Sequence, residues 1–297
     1  MPKLVADGVT LHYQQLGQQH VDGPEIVLIH GLGANLAFWY LRIATRLAAK
    51  YRVLIYDLRG HGDSSMPAER YTLPAMAQDL KHLIEYLKIK RINLVGHSFG
   101  ARVALYFAML NANQIETLTL ADTQLTCLQP RIRLKEWPHW QEWQQKLRSQ
   151  GVINLPADDE IIDFPMLNDL NQMANAESRQ GQSTGKSPTL KQRSMGRKGS
   201  ANWETLLSQT SALKDYADQS QITTDALQQL QMPLLAMFGE YSHCLPTCWK
   251  LKALTPHCEV AIVPGAGHFH PAIKPEQFLR HLEHFLAKQV DKASCTP

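Results

Sequence analysis

No apolar run in this 297-residue chain approaches the roughly 20 residues that a membrane-spanning helix needs, so no transmembrane segment is expected. The opening stretch, Met1-Pro2-Lys3-Leu4-Val5-Ala6-Asp7, lacks the continuous apolar character of a secretory signal. The sequence therefore predicts a cytoplasmic protein. Cysteine is scarce. Cys127, Cys244, Cys248, Cys258 and Cys295 are odd in number and unevenly spaced, which argues against a disulfide-built scaffold. Cys244 and Cys248 beside His243 invite a metal reading, but the spacing is loose and no second Cys/His pair has zinc-site spacing. Reduced cysteines, no metal site and no cofactor are expected. A charge excess is missing too: 30 basic residues face 27 acidic ones, and the net charge of +3 makes no case for a nucleic-acid partner. No internal repeat is found. What the chain does have is 44% hydrophobic residues, enough for one large α/β domain carrying an insertion.

The first 120 residues alternate strand and helix signals. Residues 9–16 alternate in polarity, as a half-buried strand does. A short, wholly apolar run at 26–29 and mainly apolar runs at 52–56, 92–95 and 118–121 read as buried strands. Helical spacing occupies 37–49, 73–87 and 102–110 between them. The pattern resumes with strands at 233–238 and 259–263 and an amphipathic helix at 275–287. Strands separated by helices imply a mostly parallel, doubly wound sheet whose ligands sit beyond the strands' carboxyl ends. Each glycine-rich turn falls at such an end.

Residues 124–231 differ, and no convincing buried strand lies among them. They are expected to form a largely helical insertion between core segments 1–123 and 232–297. Trp137, Trp140 and Trp143 recur every third residue near a helix start, a spacing typical of packing residues and also open to a cavity wall. The segment near 175–202 is polar, with Arg179, Lys186, Lys191, Arg193, Arg197 and Lys198. It reads as a mobile, solvated loop, with a basic rim for anions or a membrane surface as the sharper alternative.

Gly96-His97-Ser98-Phe99-Gly100 places a serine between a buried strand and a helix, the setting of a nucleophile elbow. The flanking glycines remove Cβ atoms that a tight bend would crowd, and the helix N-terminus favours developing negative charge. A serine hydroxyl needs a base. His268, at the end of the last strand, reaches the same sheet edge; His270 is the weaker candidate. Oxyanion donors are expected from the N–H groups of Phe99, after the nucleophile, and Leu32, in the turn His30-Gly31-Leu32-Gly33. His30 is expected to brace its own loop, and His97 either to line the pocket or to pack beneath the elbow. Arg59 and Asp63 are read as organisers of their turn.

Together, HGLG at 30–33, DLRGHGDSS at 57–65, GHSFG at 96–100 and GAGH at 265–268 resemble the α/β-hydrolase superfamily over roughly residues 8–123 and 232–288. The resemblance implies a helical cap inserted after the sixth core strand, which roofs the site and sets substrate choice. It also implies an aspartate in the loop after the penultimate strand, where this chain has Ser242. In some relatives the acid stands at the end of the preceding core strand, which here is Asp122. Glu240 is the alternative, and a third possibility is no acid at all, with Ser242 or water holding the imidazole. The implied activity is hydrolysis of an ester or thioester with a hydrophobic group through an acyl-enzyme on Ser98. A C–C hydrolase, a lactonase and a non-catalytic binder on the same scaffold are the alternatives. The expected partner is a small hydrophobic substrate, and oligomeric state is not legible.

Overall fold

The computed structural model describes residues 2–20, 24–149, 152–153, 155–162 and 197–294, with backbone alone for 197–201 and 291–294. The basic residues from Arg179 to Arg193 and Cys295 lie outside the described residues, and the side chains of Arg197 and Lys198 are not described.

Two compact units are present. The first comprises residues 1–129 and 202–297, and the second residues 130–201. Eight strands form one sheet in the first unit: β1 (Lys3–Ala6), β2 (Val9–Leu16), β3 (Glu25–Ile29), β4 (Val53–Tyr56), β5 (Ile92–His97), β6 (Ile115–Ala121), β7 (Leu234–Gly239) and β8 (Cys258–Val263). Their order is β1-β2-β4-β3-β5-β6-β7-β8. β1 and β2 pair antiparallel, as do β2 and β4, and every other pairing is parallel. The sheet is thus mostly parallel. β3, β4, β5 and β7 are buried at every position, which is why apolar residues dominate them on both faces. β1 alternates between exposed and half-buried residues and gives no such signal.

Helix α1 (Ala37–Trp39) runs through a π-turn, Tyr40–Ala44, into α2 (Thr45–Leu47). It is followed by α3 (Leu73–Tyr86), with Thr72 as its cap, and α4 (Phe99–Leu110). Next come α5 (Trp140–Ser149), α6 (Arg197–Gln209), α7 (Ala212–Ala217), α8 (Thr224–Gln228), α9 (Leu245–Leu254), α10 (His270–Ile273) and α11 (Pro275–Ser294). Side chains alternate across each strand. Ile26, Leu28, Val53, Ile55, Met237 and Val263 therefore share one sheet face, where they pack with Trp39, Ile43 and Leu47 and with Phe278, Leu282 and Phe285 of α11. Each such side chain, fully buried, contributes about 1.5–3 kcal/mol. On the other face α3 and α4 pack together, and α4 lies against β3, β5 and β6. With helices on both faces, the sheet is doubly wound.

The second unit has its own small core of Leu134, Trp137, Trp140, Leu147, Val152 and Ile162. Trp137 stacks 6.5 Å from Trp140 and tilts 5.8 Å from Trp143. Trp140 Nε1 donates to Asp158 at 2.7 Å. Two of the three tryptophans are thus buried within this unit.

The strand order reverses at β3: the chain passes from β3 to β4 on one side, and β5 lies on the other. Loops at the carboxyl ends of β3 and β5 diverge there and leave a crevice. β6, β7 and β8 run parallel to β5, so their carboxyl ends open onto the same edge.

Candidate active site

Ser98 joins β5 to α4 at φ 56°, ψ −119°. Such a conformation costs a non-glycine residue about 1–3 kcal/mol and persists only where its surroundings enforce it. Here the Ser98 N–H donates to the Ala121 carbonyl at 3.0 Å. The bend leaves no room at its glycines. A Cβ on Gly96 would stand 2.4 Å from the Gly100 oxygen, and one on Gly100 would stand 2.4 Å from the His30 oxygen.

The loop after β8 brings His268 Nε2 to 2.9 Å from Ser98 Oγ. On the far side of the ring, Nδ1 lies 2.9 Å from Asp122 Oδ1. Ser98 and His268 each keep 9% exposure, so solvent still reaches the pair. Asp122 leaves the end of β6 at φ 51°, a left-handed conformation that aspartate tolerates better than most residues. Burial pushes its carboxyl upward. The hydrogen bond from His268, the neighbouring imidazoles and the Gly239 N–H, 2.8 Å from Oδ2, outweigh that and hold it well below the usual carboxylate range. Ser242 does not touch the imidazole as an acid would. Its hydroxyl donates to Asp122 Oδ1 and accepts the Cys244 N–H at 3.0 Å. Glu240 is engaged elsewhere: its Oε2 accepts the Gly265 N–H at 2.8 Å in an exposed setting. Of the two carboxylates considered from sequence, Asp122 is the one brought to His268.

The turn after β3 runs against the nucleophile. A Cβ on Gly31 would meet Ser98 Cβ at 3.0 Å, which puts Leu32 in the next position along the crevice. The Phe99 N–H opens α4 and, like all first-turn amides, has no carbonyl partner within its helix. Two neutral imidazoles brace this region. His30 Nδ1 donates to the Gly31 carbonyl at 2.7 Å, and its Nε2 accepts the Leu58 N–H at 3.1 Å. His61 Nδ1 donates to the Arg59 carbonyl, and its Nε2 accepts the Gly33 N–H at 3.2 Å. Burial lowers both, His61 to about 3. His61 links the two glycine turns. Sequence reasoning passed over it; its one signal was its place inside the Gly60-His61-Gly62 motif. Arg59 forms a buried two-pronged pair with Asp79, at 2.6 and 2.7 Å, and donates to the Arg70 carbonyl. The Asp63 N–H is tied to Asp57 at 2.9 Å.

Three further histidines surround His268. His97 donates from Nε2 to the His268 carbonyl at 2.9 Å and stacks on Phe38, with ring centres 4.8 Å apart. It therefore packs beneath the elbow, and burial keeps it far below the usual imidazole range. His270 donates to the Met237 carbonyl at 3.1 Å and is pushed down to about 4 by burial. His243, also lowered to about 3 by burial, has its ring centre 5.3 Å from that of His268. Cys244 Sγ lies 3.3 Å from His243 Nε2 and 3.9 Å from His268 Nδ1. His243, Cys244 and His268 thus offer three ligand atoms within 4.8 Å of one another. A linear spacing search cannot find this set, because His268 comes from another loop.

Among the described residues, no helix is long and apolar enough to cross a membrane. In comparisons with known proteins, residues 24–274 match the family model described as the alpha/beta hydrolase fold. Over 149 residues the chain is 31% identical to 3-oxoadipate enol-lactonase 2 of Acinetobacter baylyi, covering 50% of this chain and 52% of that protein. The chain spans about half the length, or less, of the first curated relatives it matches. In structure it resembles an enol-lactonase from Burkholderia xenovorans, with TM-score 0.66 and 22% identity over 96% of this chain and 100% of that one. It also resembles a thermophilic esterase from Thermogutta terrifontis, with TM-score 0.62 and 21% identity over 97% of this chain and 99% of that one. The family match takes in both glycine turns, the elbow and the His268 loop, well over half the sequence, and on that ground the protein belongs to the α/β-hydrolase fold family.

Proposed function

We propose that the protein is a serine hydrolase that cleaves a carboxylic ester or thioester through an acyl-enzyme on Ser98. The observation that carries this reading is the continuous chain of contacts from Ser98 Oγ through His268 to Asp122, both steps 2.9 Å. Proton-transfer catalysis needs contacts of about 2.6–3.2 Å. Asp122 is held ionised, so it accepts the Nδ1 proton of His268 and leaves Nε2 as the acceptor.

Ser98 Oγ attacks the carbonyl carbon while His268 Nε2 takes its proton. The oxyanion is held by the N–H groups of Phe99 and Leu32, aided by the N-terminal dipole of α4. Collapse of the tetrahedral intermediate expels the alcohol or thiol, protonated by His268. Water, deprotonated by the same imidazole, then attacks the acyl-enzyme and restores Ser98. No step calls for a cofactor. Apolar rings flank the site: Phe269 lies edge-on to His268 at 5.1 Å, and Phe99 meets Tyr216 at 4.9 Å. They favour a hydrophobic acyl or alkyl group. Residues 130–201 form a compact unit inserted after β6, the place of a substrate-selecting cap.

A second reading, lactone hydrolysis, is favoured by the likeness to 3-oxoadipate enol-lactonase 2. A lactone is a cyclic ester and would use the same groups. Steady-state assays with p-nitrophenyl esters and simple lactones distinguish the two readings. Turnover of either should vanish in Ser98→Ala; turnover that survives in that variant overturns the assignment.

A further inference from the structure

We propose that His243, Cys244 and His268 form a binding site for a thiophilic divalent cation, tested as Zn2+, and that filling it switches off the catalytic histidine. The binding half stands on geometry alone; the inhibitory half rests on the function proposed above.

Zinc binds imidazole nitrogen at about 2.0–2.1 Å and thiolate sulfur at about 2.3 Å, which in a tetrahedral site sets nitrogen and sulfur about 3.5 Å apart. Cys244 Sγ lies 3.3 Å from His243 Nε2 and 3.9 Å from His268 Nδ1, on either side of that value. All three ligand atoms fall within 4.8 Å, so side-chain adjustments alone can close the set. Asp122 Oδ1 lies 2.9 Å from the same Nδ1, so the incoming cation displaces that hydrogen bond and the freed carboxylate supplies a negatively charged fourth ligand. Sulfur with two imidazoles selects zinc-like ions over magnesium or calcium. The site is buried but lies beside Ser98, where solvent still enters.

The consequence for His268 follows from proton bookkeeping. The cation takes the place of the thiol hydrogen of Cys244, which is released to solvent as H+, and it also takes the Nδ1 lone pair of His268. The proton formerly on Nδ1 moves to Nε2. With Nε2 carrying hydrogen, the ring no longer accepts the Ser98 proton, and the Asp122 contact that fixed the productive tautomer is lost.

Chelator-treated protein titrated with Co2+ should develop a thiolate-to-metal charge-transfer absorption that Cys244→Ser abolishes. In parallel, Zn2+ should inhibit ester hydrolysis reversibly, with EDTA restoring the rate. Cys244→Ser and His243→Asn should each raise the half-inhibiting Zn2+ concentration by at least about tenfold, a loss that even an outer partner of a metal ligand can cause. Thermal melts confirm that each variant is folded. No charge-transfer band in the unsubstituted protein, or a band that persists in Cys244→Ser, overturns the site. A band without any inhibition overturns the switch. Should the chain hydrolyse no ester, the Co2+ spectrum still decides the binding site, so the two failures are separable.

Discussion

Replacing Asp122 by Asn preserves the side chain's shape but removes the charge that holds His268 in its productive tautomer. In a Ser-His-Asp site this exchange lowers kcat by about 10⁴, or about 5.5 kcal/mol of transition-state stabilisation. Ser242 offers a route back. Its hydroxyl bonds to Asp122 Oδ1, the same oxygen that lies 2.9 Å from His268 Nδ1. A carboxylate at 242 therefore reaches the edge of the imidazole. The double variant Asp122→Asn/Ser242→Asp should recover about 10- to 100-fold of the loss, about 1.4–2.7 kcal/mol. Ser242→Asp alone places two carboxylates against one another and should lower both stability and rate. Glu240→Gln should stay within a few-fold of the unsubstituted protein, because Glu240 serves Gly265 instead. Steady-state kcat on a p-nitrophenyl ester, measured across these four variants, tests the set. An Asp122→Asn variant within tenfold of the unsubstituted rate, or a collapse in Glu240→Gln, refutes the assignment of the acid. A double variant no faster than Asp122→Asn refutes the spatial equivalence of positions 122 and 242.

The elbow has no space for a methyl group, so Gly100→Ala should destabilise the fold by about 1–3 kcal/mol in urea denaturation and lower kcat more than it raises KM, since the methyl presses on the His30 loop. Asp79→Ala strands the buried Arg59 guanidinium and should cost about 3–5 kcal/mol; an unchanged denaturation midpoint would contradict a structural role for the pair. Buried His61 and His243 are lowered to about 3 and His270 to about 4, mainly by desolvation, against about 6.5 in the unfolded chain. Their stabilisation is complete above the unfolded value and is lost as pH falls toward the folded ones. Each loses about 1.4 kcal/mol per pH unit, and together they should remove about 4 kcal/mol per unit between roughly pH 6 and 4. Thermal melts should show Tm falling steeply below pH 6, and a flat Tm from pH 7 to 4 would contradict this.

The core strands were legible because burial on both faces writes itself as unbroken apolar runs, as in Ile26–Ile29 and Leu234–Phe238. β1 was not, because half-exposed Lys3–Ala6 leaves no run and its pairing with β2 is set by a tight turn at Asp7-Gly8. The π-turn inside the helical stretch at 37–49 is likewise invisible to a period-3.6 pattern. At the site, Ser98 stood out because strand, glycines and helix all mark the elbow. The acid was ambiguous because local sequence does not encode which of two neighbouring strand ends faces the imidazole. The hydrogen bond from Ser242 to Asp122 shows that the loop after β7 and the end of β6 meet beside the imidazole, so either segment is placed to supply an acid. The Cys244 cluster was only half legible: His243 and Cys244 are neighbours in sequence, but the third member, His268, comes from a distant loop.

The central claim is that His268 withdraws the proton of Ser98. Reaction with a fluorophosphonate probe followed by peptide mapping addresses it most directly, because the probe requires a base-activated serine. One label per chain on Ser98, with its rate lowered by orders of magnitude in His268→Ala, is the predicted result. Labelling at another residue, or an undiminished rate in His268→Ala, would contradict the account.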